Sequence, residues 1–342
     1  MKDTDRDKGP DSRTESGRRE MLARSAAFLA APAMLGGAAQ STQKPIRPRA
    51  AARRYEMKKS INLWAFPYPG QWTLKECLQI SKDAGFDGVE LNFDIKGEFS
   101  AESTDSQIRE IGELARKVGI AISGVCSFLF WPYPLTANDP EKRKKAMELG
   151  SRMIEAAALL GTENLLVVPG AVYASWVEGF EPVPNDVCDR RAREAIRKMI
   201  PLAEKSGVYL NIENIFSNAF LFSPREMNEF VDSFRSKWVR IHFDTGNIMQ
   251  YQFPEHWVPI LGKRIKNIHF KEWDKRTHEF NLHTFRPLLD GTTNWPSVIE
   301  ELDKIGYRDY LTFEYFHPYQ HYPEALIFQT SDSLDWMLGR KG

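Results

Sequence analysis

The sequence has few cysteines, no excess of charge and no long hydrophobic run. Its three cysteines, Cys77, Cys126 and Cys188, form no ligand-spaced pair, which excludes a disulfide framework and a cysteine-based zinc site. Lys+Arg and Asp+Glu both number 46, and 42% of the 342 residues are hydrophobic, which excludes a disordered chain. The longest apolar stretch, residues 25–39, is shorter than the roughly 20 residues of a membrane span, which excludes a multi-span membrane protein.

Two further features exclude classes of ligand. No predicted strand opens onto a glycine-rich loop that would hold a phosphate group. Residues 60–342 carry 32 basic and 39 acidic residues, a net charge of −7. Because proteins gain most of their affinity for nucleic acid from neutralising its phosphates, this acidic balance argues against nucleic acid as a partner.

The amino-terminal 39 residues resemble an export signal. Arg18 and Arg19 precede the apolar stretch, which ends in the small residues Gly37-Ala38-Ala39. The paired arginines predict a twin-arginine signal, although Met21 and Ala23 depart from its usual pattern. We expect cleavage after Ala39, a basic linker over residues 40–59 and a periplasmic location. An uncleaved form tethered to the membrane and a disordered basic tail are the alternatives.

From residue 60 onward, short β-type runs alternate with longer helical runs. Capping boxes and Asp-Pro or Ser-Pro pairs begin the helices, and glycines end them. The predicted strands are 61–66, 88–93, 122–129, 164–169, 208–214, 239–246, 265–273 and 310–316. Eight such units predict an α/β fold, a single-domain (β/α)8 TIM barrel over residues 60–342. An open doubly wound sheet is the alternative architecture.

The last four strands carry polar residues that alternate with apolar ones. The apolar face of each strand must pack on the helices, so the polar face points into the barrel. Glu213, Asp244, His269 and Glu314 lie on this face, near the carboxyl ends where barrel active sites form. Three carboxylates and one imidazole without a thiolate favour one divalent cation, with Mn2+ ahead of Mg2+ or Co2+.

These strands also support a family resemblance. The segments LNIEN, IHFDTGN, NIHFKEW and LTFEYF resemble the corresponding strands of the xylose-isomerase-like sugar isomerase/epimerase superfamily, and the resemblance extends over about residues 60–340. It implies that Glu213, Asp244, His269 and Glu314 hold one divalent metal. It also implies that the two glutamates are the catalytic acid and base on either side of the substrate.

The sequence departs from the ketohexose 3-epimerases at three substrate-contacting positions. Ala219, Asn247 and Lys275 stand where the resemblance leads us to expect Glu, His and Arg, so the contacts to a free ketohexose would differ. Other inward-facing or loop residues are candidates for substrate binding. They are Glu90, His242, Lys271, Trp64 and Trp273. Aromatic residues are frequent in the predicted loops after the strands, where rings could stack on a sugar.

The resulting prediction is a metal-dependent isomerase or epimerase of an unphosphorylated sugar or keto-sugar. The two glutamates would move a proton next to a carbonyl through a metal-stabilised enediolate. The main alternative is a metal-dependent lyase or dehydratase that acts on a 3-keto-glycoside or an inosose. A non-catalytic sugar-binding protein and an endonuclease IV-like nuclease are weaker alternatives. We expect a small-molecule sugar as partner, and the sequence leaves homo-oligomer formation open.

Overall fold

The computed structural model describes residues 54–216, 220–279 and 281–341. The predicted export signal and residues 40–53 of the predicted linker lie outside these ranges. Within them, none of the α-helices combines the length and the apolar composition that a membrane span requires.

Eight parallel strands close into a barrel, which confirms the predicted TIM-barrel fold as a single domain. In chain order they are β1 (Lys58–Asn62), β2 (Gly88–Asn92), β3 (Ala121–Cys126), β4 (Asn164–Val167), β5 (Tyr209–Glu213), β6 (Val239–Asp244), β7 (Ile265–Phe270) and β10 (Tyr310–Phe313). The order around the barrel is β1-β10-β7-β6-β5-β4-β3-β2. A two-stranded antiparallel sheet, β8 (Glu272–Trp273) with β9 (Phe285–Arg286), follows β7 outside the barrel.

Helices connect the strands and cover the outside of the barrel. The described residues contain α1 (Leu74–Asp83), α2 (Asp105–Val118), α3 (Pro140–Leu160), α4 (Asn185–Ser206), α5 (Pro224–Asp232), α6 (Pro254–Leu261), α7 (Trp295–Lys304) and α8 (Pro323–Met337). The capping boxes at Thr73 and Thr104 form as predicted, because each threonine accepts from the third helical N–H and the residue there bonds back. Gly119, Gly161 and Gly207 end helices in the left-handed conformation.

The first strand begins earlier than predicted. Strand β1 starts at Lys58 and therefore includes the last two residues of the predicted linker. It ends at Asn62, where the side chain accepts a hydrogen bond from the Trp64 N–H and starts a 3-10 turn at Leu63–Ala65. The predicted strands extended into such turns because aromatic residues at the carboxyl ends have β propensity, although they belong to the loops over the barrel.

Candidate metal centre

The four predicted ligands come from four strands that are neighbours in the barrel. Glu213 ends β5, Asp244 ends β6, His269 lies in β7 and Glu314 directly follows β10. In the sheet register Asp244 lies beside His269, and Thr312, two residues before Glu314, lies beside His269 on its other side. Each of the four side chains is buried. The closed barrel therefore brings them together at its carboxyl end, as alternation of inward residues requires.

His269 lies at the centre of this group. Its Nδ1 atom is 3.2 Å from Glu314 Oε1, 3.6 Å from Glu213 Oε1 and 3.8 Å from Asp244 Oδ2, and it has no hydrogen-bond partner. Ligands at about 2.1 Å from one octahedral ion lie about 3 Å apart, so these carboxylate oxygens lie slightly farther from Nδ1 than two ligands of one ion would. The ligand atoms of Glu213, His269 and Glu314 all lie within 4.8 Å of one another. The donor set fits a divalent cation.

The charges of the group also favour a cation. Burial raises the pKa of Glu213 to about 7, and the neighbouring carboxylates of Glu314 and Asp244 add to this effect against the opposing attraction of His269. Burial would lower the pKa of His269, but Glu314 and Glu90 outweigh it and raise that pKa well above its ordinary value. The raised pKa of His269 reflects the negative charge around it, which a divalent ion would offset.

Lys271 supplies the one ammonium group in direct contact with these described carboxylates. Its Nζ is 3.2 Å from Asp244 Oδ2, forms an ion pair with Glu314 and lies 4.6 Å from the centre of the Phe316 ring. Burial would lower its pKa, but Asp244 and Glu314 outweigh burial and raise it. Burial would likewise raise the pKa of Glu314, yet His269 and Lys271 lower it to about 2. Lys271 and Glu314 are therefore both charged at neutral pH.

A second layer of buried polar residues lies on the opposite side of the His269 ring. Glu90 Oε2 is 2.6 Å from His269 Nε2, and the same oxygen accepts a hydrogen bond of 2.7 Å from Asn62 Nδ2. The His242 ring meets His269 edge-on at 4.1 Å between centroids, and neither of its nitrogens has a hydrogen-bond partner. With Nε2 bound to Glu90, Nδ1 is the His269 nitrogen that is available to a metal.

The carboxylate of Asp244 is held by backbone groups. The N–H groups of Gly246 and Asn247 both donate to Asp244 Oδ1 at 2.8 Å, which leaves Oδ2 on the side of His269 and Lys271. Asn214 fixes the strand end itself, since its side chain accepts from the Asp244 N–H and donates to the Asp244 carbonyl oxygen. One carboxylate oxygen is thus used for positioning and the other is available as a ligand.

A cavity of about 430 Å3 opens directly above the predicted metal ligands. Its lining consists of Trp64, Ser127, Phe128, Trp131, Leu166, Val168, Trp176, Glu213, Phe216, Asn247, Lys271, Leu282, Glu314, Phe316 and His317. Two of the predicted substrate-binding residues, Trp64 and Lys271, belong to it. Glu90 and His242 lie deeper in the barrel, and Trp273 is buried against Phe285, so the geometry supports substrate contact less for these three.

The three positions at which the sequence departs from the ketohexose 3-epimerases have different surroundings. Asn247 lines the cavity and its Nδ2 is 3.4 Å from Glu213 Oε1. Lys275 does not line the cavity, because its Nζ binds the Gln252 carbonyl at 3.2 Å and lies over the Phe253 ring. Ala219 lies outside the described residues.

Three residues of the site, Asn62, Asn214 and Phe216, were not predicted from the sequence. Asn62 lies two residues from the buried Ser60 on β1, so the alternation of inward residues, applied to this strand, would have found it. Asn214 follows the inward residue Glu213, so strand alternation predicts that it points out of the barrel. Its contact with β6 depends on the sheet register, which the sequence pattern does not give. Phe216 lies beyond the strand, where no periodic signal applies.

Comparison with known proteins agrees with this architecture. The provisionally named L-ribulose-5-phosphate 3-epimerase SgbU of Escherichia coli (strain K12) is 26% identical over 238 residues, which cover 68% of this chain and 80% of SgbU. The solved structure of an L-ribulose 3-epimerase covers 83% of this chain and 96% of its own, with a TM-score of 0.68 and 17% identity. The solved structure of 3-keto-D-glucoside 4-epimerase YcjR from E. coli covers 82% of this chain and 98% of its own, with a TM-score of 0.64 and 16% identity.

The structural likenesses establish the fold, and the relatives are named as sugar epimerases. The family model described as "Xylose isomerase-like TIM barrel" matches residues 78–338, which include all four predicted metal ligands. The barrel, the ligands at its carboxyl end and this match agree, and the chain belongs to the xylose isomerase-like TIM barrel family.

Proposed function

We propose that the protein is a divalent-metal-dependent epimerase or isomerase of an unphosphorylated sugar or keto-sugar. The observation that carries this proposal is the group of three carboxylates around the unpartnered Nδ1 of His269, at the base of a cavity that opens to solvent. The names of the relatives support a reaction on a sugar. Glu213, Asp244, His269 and Glu314 would hold the ion, with Mn2+ as our first candidate.

A bound divalent ion would polarise a carbonyl group and favour loss of a proton from the adjacent carbon. Glu213 and Glu314 both line the cavity, so two carboxyl groups are available to remove a proton and return one. Their pKa values are shifted in opposite directions, to about 7 for Glu213 and about 2 for Glu314. Opposite shifts of this kind are typical of groups that serve as acid and base.

The cavity lining favours an unphosphorylated substrate. The described residues that line it include no arginine and a single lysine, Lys271, so they offer no cluster of cations for a phosphate group. Phosphate groups are usually bound by arginine or by clustered backbone N–H groups. We therefore propose an unphosphorylated substrate, in contrast to the sugar phosphate in the name of the relative SgbU.

The experiment that tests the proposal has two parts. Metal analysis of the purified protein should find about one divalent ion per chain, and keto-sugars in D2O should gain solvent deuterium on incubation with it. The variants Glu213→Gln and Glu314→Gln should lose most of this exchange, about 100-fold or more, because each removes a proton-transferring group. Tyr251→Phe, on an exposed loop outside the cavity, is the matched control. Unchanged exchange in either glutamine variant would refute the assignment.

The ammonium of Lys271 favours a second candidate, a lyase or dehydratase acting on a 3-keto-glycoside or inosose. This group lies beside Glu314 at the base of the cavity, where it could stabilise the negative charge on a departing oxygen. Both candidates begin with the same proton removal. Product analysis in the D2O experiment separates them, since an epimerase yields an isomer, whereas a lyase yields an unsaturated keto product together with water or an alcohol.

We also propose that the protein is exported, on the basis of Arg18, Arg19 and the apolar stretch that follows them. Cell fractionation of the full chain tests this proposal. Lysine at both arginine positions should retain the protein in the cytoplasm, whereas an unchanged periplasmic fraction would contradict a twin-arginine signal.

A further inference from the structure

The cavity above the candidate metal centre has two chemically different halves. The inner half carries charged and amide groups, which belong to Glu213, Asn247, Lys271 and Glu314. The outer half is made by loops that follow β3 and β4, and its principal residues are Phe128, Trp131 and Trp176. The charged groups thus lie at the end of the cavity that is next to the predicted metal ligands.

Aromatic rings of the outer half are left exposed to water. Trp131 and Trp176 meet edge to face at 5.0 Å between centroids, and Trp176 lies 6.3 Å from the Phe216 ring. Phe128 is 51% exposed and Trp176 is 37% exposed. Trp131 also lines a smaller neighbouring cavity of about 90 Å3, so it borders open space in two places. Exposed apolar area of this extent, continuous with a binding cavity, favours an apolar occupant.

Two polar side chains that line the cavity, Ser127 and His317, form hydrogen bonds within the protein. The Ser127 hydroxyl donates to the Phe93 carbonyl at 2.7 Å and accepts from the Leu129 N–H at 3.1 Å. His317 Nε2 is 3.2 Å from the Leu282 carbonyl oxygen. A hydroxyl-rich group placed here would find both of these side chains already hydrogen-bonded. A second sugar could stack on these rings, but it would gain few direct hydrogen bonds from Ser127 and His317, whereas an apolar ring needs none.

We propose that the outer half is a subsite for a flat apolar aglycone, so that the substrate is a glycoside whose sugar ring occupies the inner half. This inference rests on the proposed function, because it places the reacting sugar at the candidate metal centre. Trp131 and Trp176 contact the aglycone and determine the preference for it. A planar aromatic group suits them, since it can stack on one ring and meet the other edge to face.

Binding of matched glycosides tests the subsite without any need for turnover. Phenyl and methyl glycosides of glucose, galactose and mannose are titrated into the Mn2+-loaded protein by calorimetry. We expect at least one phenyl glycoside to bind about tenfold more tightly than its methyl partner. Trp131→Ala and Trp176→Ala should each remove most of this difference and leave methyl glycoside binding nearly unchanged. Tyr251→Ala removes a more exposed aromatic ring outside the cavity and should change neither.

Three results would overturn the subsite: equal affinity for both partners of every pair, no measurable binding of any phenyl glycoside, or tryptophan variants that weaken both partners alike. Thermal unfolding of each variant shows whether it is folded. Deuterium exchange with keto-sugars and phenyl keto-glycosides then separates this inference from the proposed function. A phenyl preference in binding without exchange on any substrate would leave the subsite and refute the enzyme. Deuterium exchange at equal rates with and without the phenyl group would support the enzyme and refute the subsite.

Discussion

Replacement of Glu90 by glutamine tests how the barrel interior prepares His269 for a metal. Both side chains are fully buried, and the distance of 2.6 Å between Glu90 Oε2 and His269 Nε2 is that of a strong hydrogen bond. The carboxylate fixes the proton on Nε2 and leaves Nδ1 facing Glu213, Asp244 and Glu314. Glutamine has nearly the same shape and can still accept this bond, but it carries no charge.

The magnitude follows from the loss of charge in a buried bond. A hydrogen bond to a charged group contributes about 1.5–3 kcal/mol, and a neutral acceptor retains about half of that strength. The expected loss is about 1–2 kcal/mol of metal-binding free energy, or about 5- to 30-fold in the dissociation constant for Mn2+. Removal of one negative charge near the cation acts in the same direction.

Calorimetric titration of the metal-free protein with Mn2+ measures this effect directly. Ser60→Ala is the matched control, because it removes another buried hydrogen bond from the barrel interior, the 2.7 Å contact with Ser123, without touching His269. We expect both variants to melt at lower temperature and only Glu90→Gln to bind Mn2+ more weakly. If Glu90→Gln binds Mn2+ as tightly as the natural protein, the contact stabilises the fold alone and our reasoning is refuted.

Three further predictions concern the same end of the barrel. First, Mn2+ binding should weaken as pH falls and should release at least one proton, because His269 has a raised pKa and must lose its proton to act as a ligand. Calorimetry in buffers of different ionisation enthalpy measures the number of protons released, and a pH-independent affinity would contradict this prediction. Second, Lys271→Met should lower the melting temperature of the metal-free protein and increase its Mn2+ affinity, because two buried carboxylates lose their ammonium partner. An unchanged melting temperature together with an unchanged Mn2+ affinity would show that the ion pairs have no effect. Third, Glu272→Ala should reduce the free energy of unfolding by about 1–3 kcal/mol in denaturant titrations, because it leaves the Thr293 and Leu289 N–H groups and the Trp295 indole without their acceptor. The control Glu300→Ala, on an exposed helix face, should change the free energy of unfolding little.

The sequence was sufficient to predict the barrel and the residues gathered at its end. Helix caps and alternating strands are local signals, and eight repeats of them leave few ways to bury the apolar faces. The inward position of Glu213, Asp244, His269 and Glu314 follows from alternation together with closure, since neighbouring inward residues at the carboxyl ends must meet. The family match over residues 78–338 agrees with the resemblance inferred from the strand segments.

Contacts between distant strands could not be predicted in this way. Glu90 lies 179 positions before His269 in the sequence, and they meet because β1 joins β2 to β10 around the barrel. The sequence places Glu90 on an inward face, but not at the depth where it binds His269 rather than substrate. Lys271 illustrates the same limit, since its partners Asp244 and Glu314 lie at the ends of two other strands, and only the folded structure shows the ion pairs.

The two glutamates of the site are chemically unequal in the metal-free protein, and the position of the cations explains the difference. Glu314 contacts both His269 and Lys271, so it is ionised even though it is buried. Glu213 has no contact with Lys271 of this kind and keeps a pKa of about 7. At neutral pH Glu314 is therefore ionised while part of the Glu213 population carries a proton, and the pKa of Glu213 is the better matched of the two to proton exchange at this pH. Two glutamates that share one proton in this way could remove a proton from one side of a sugar and return a proton to the other side.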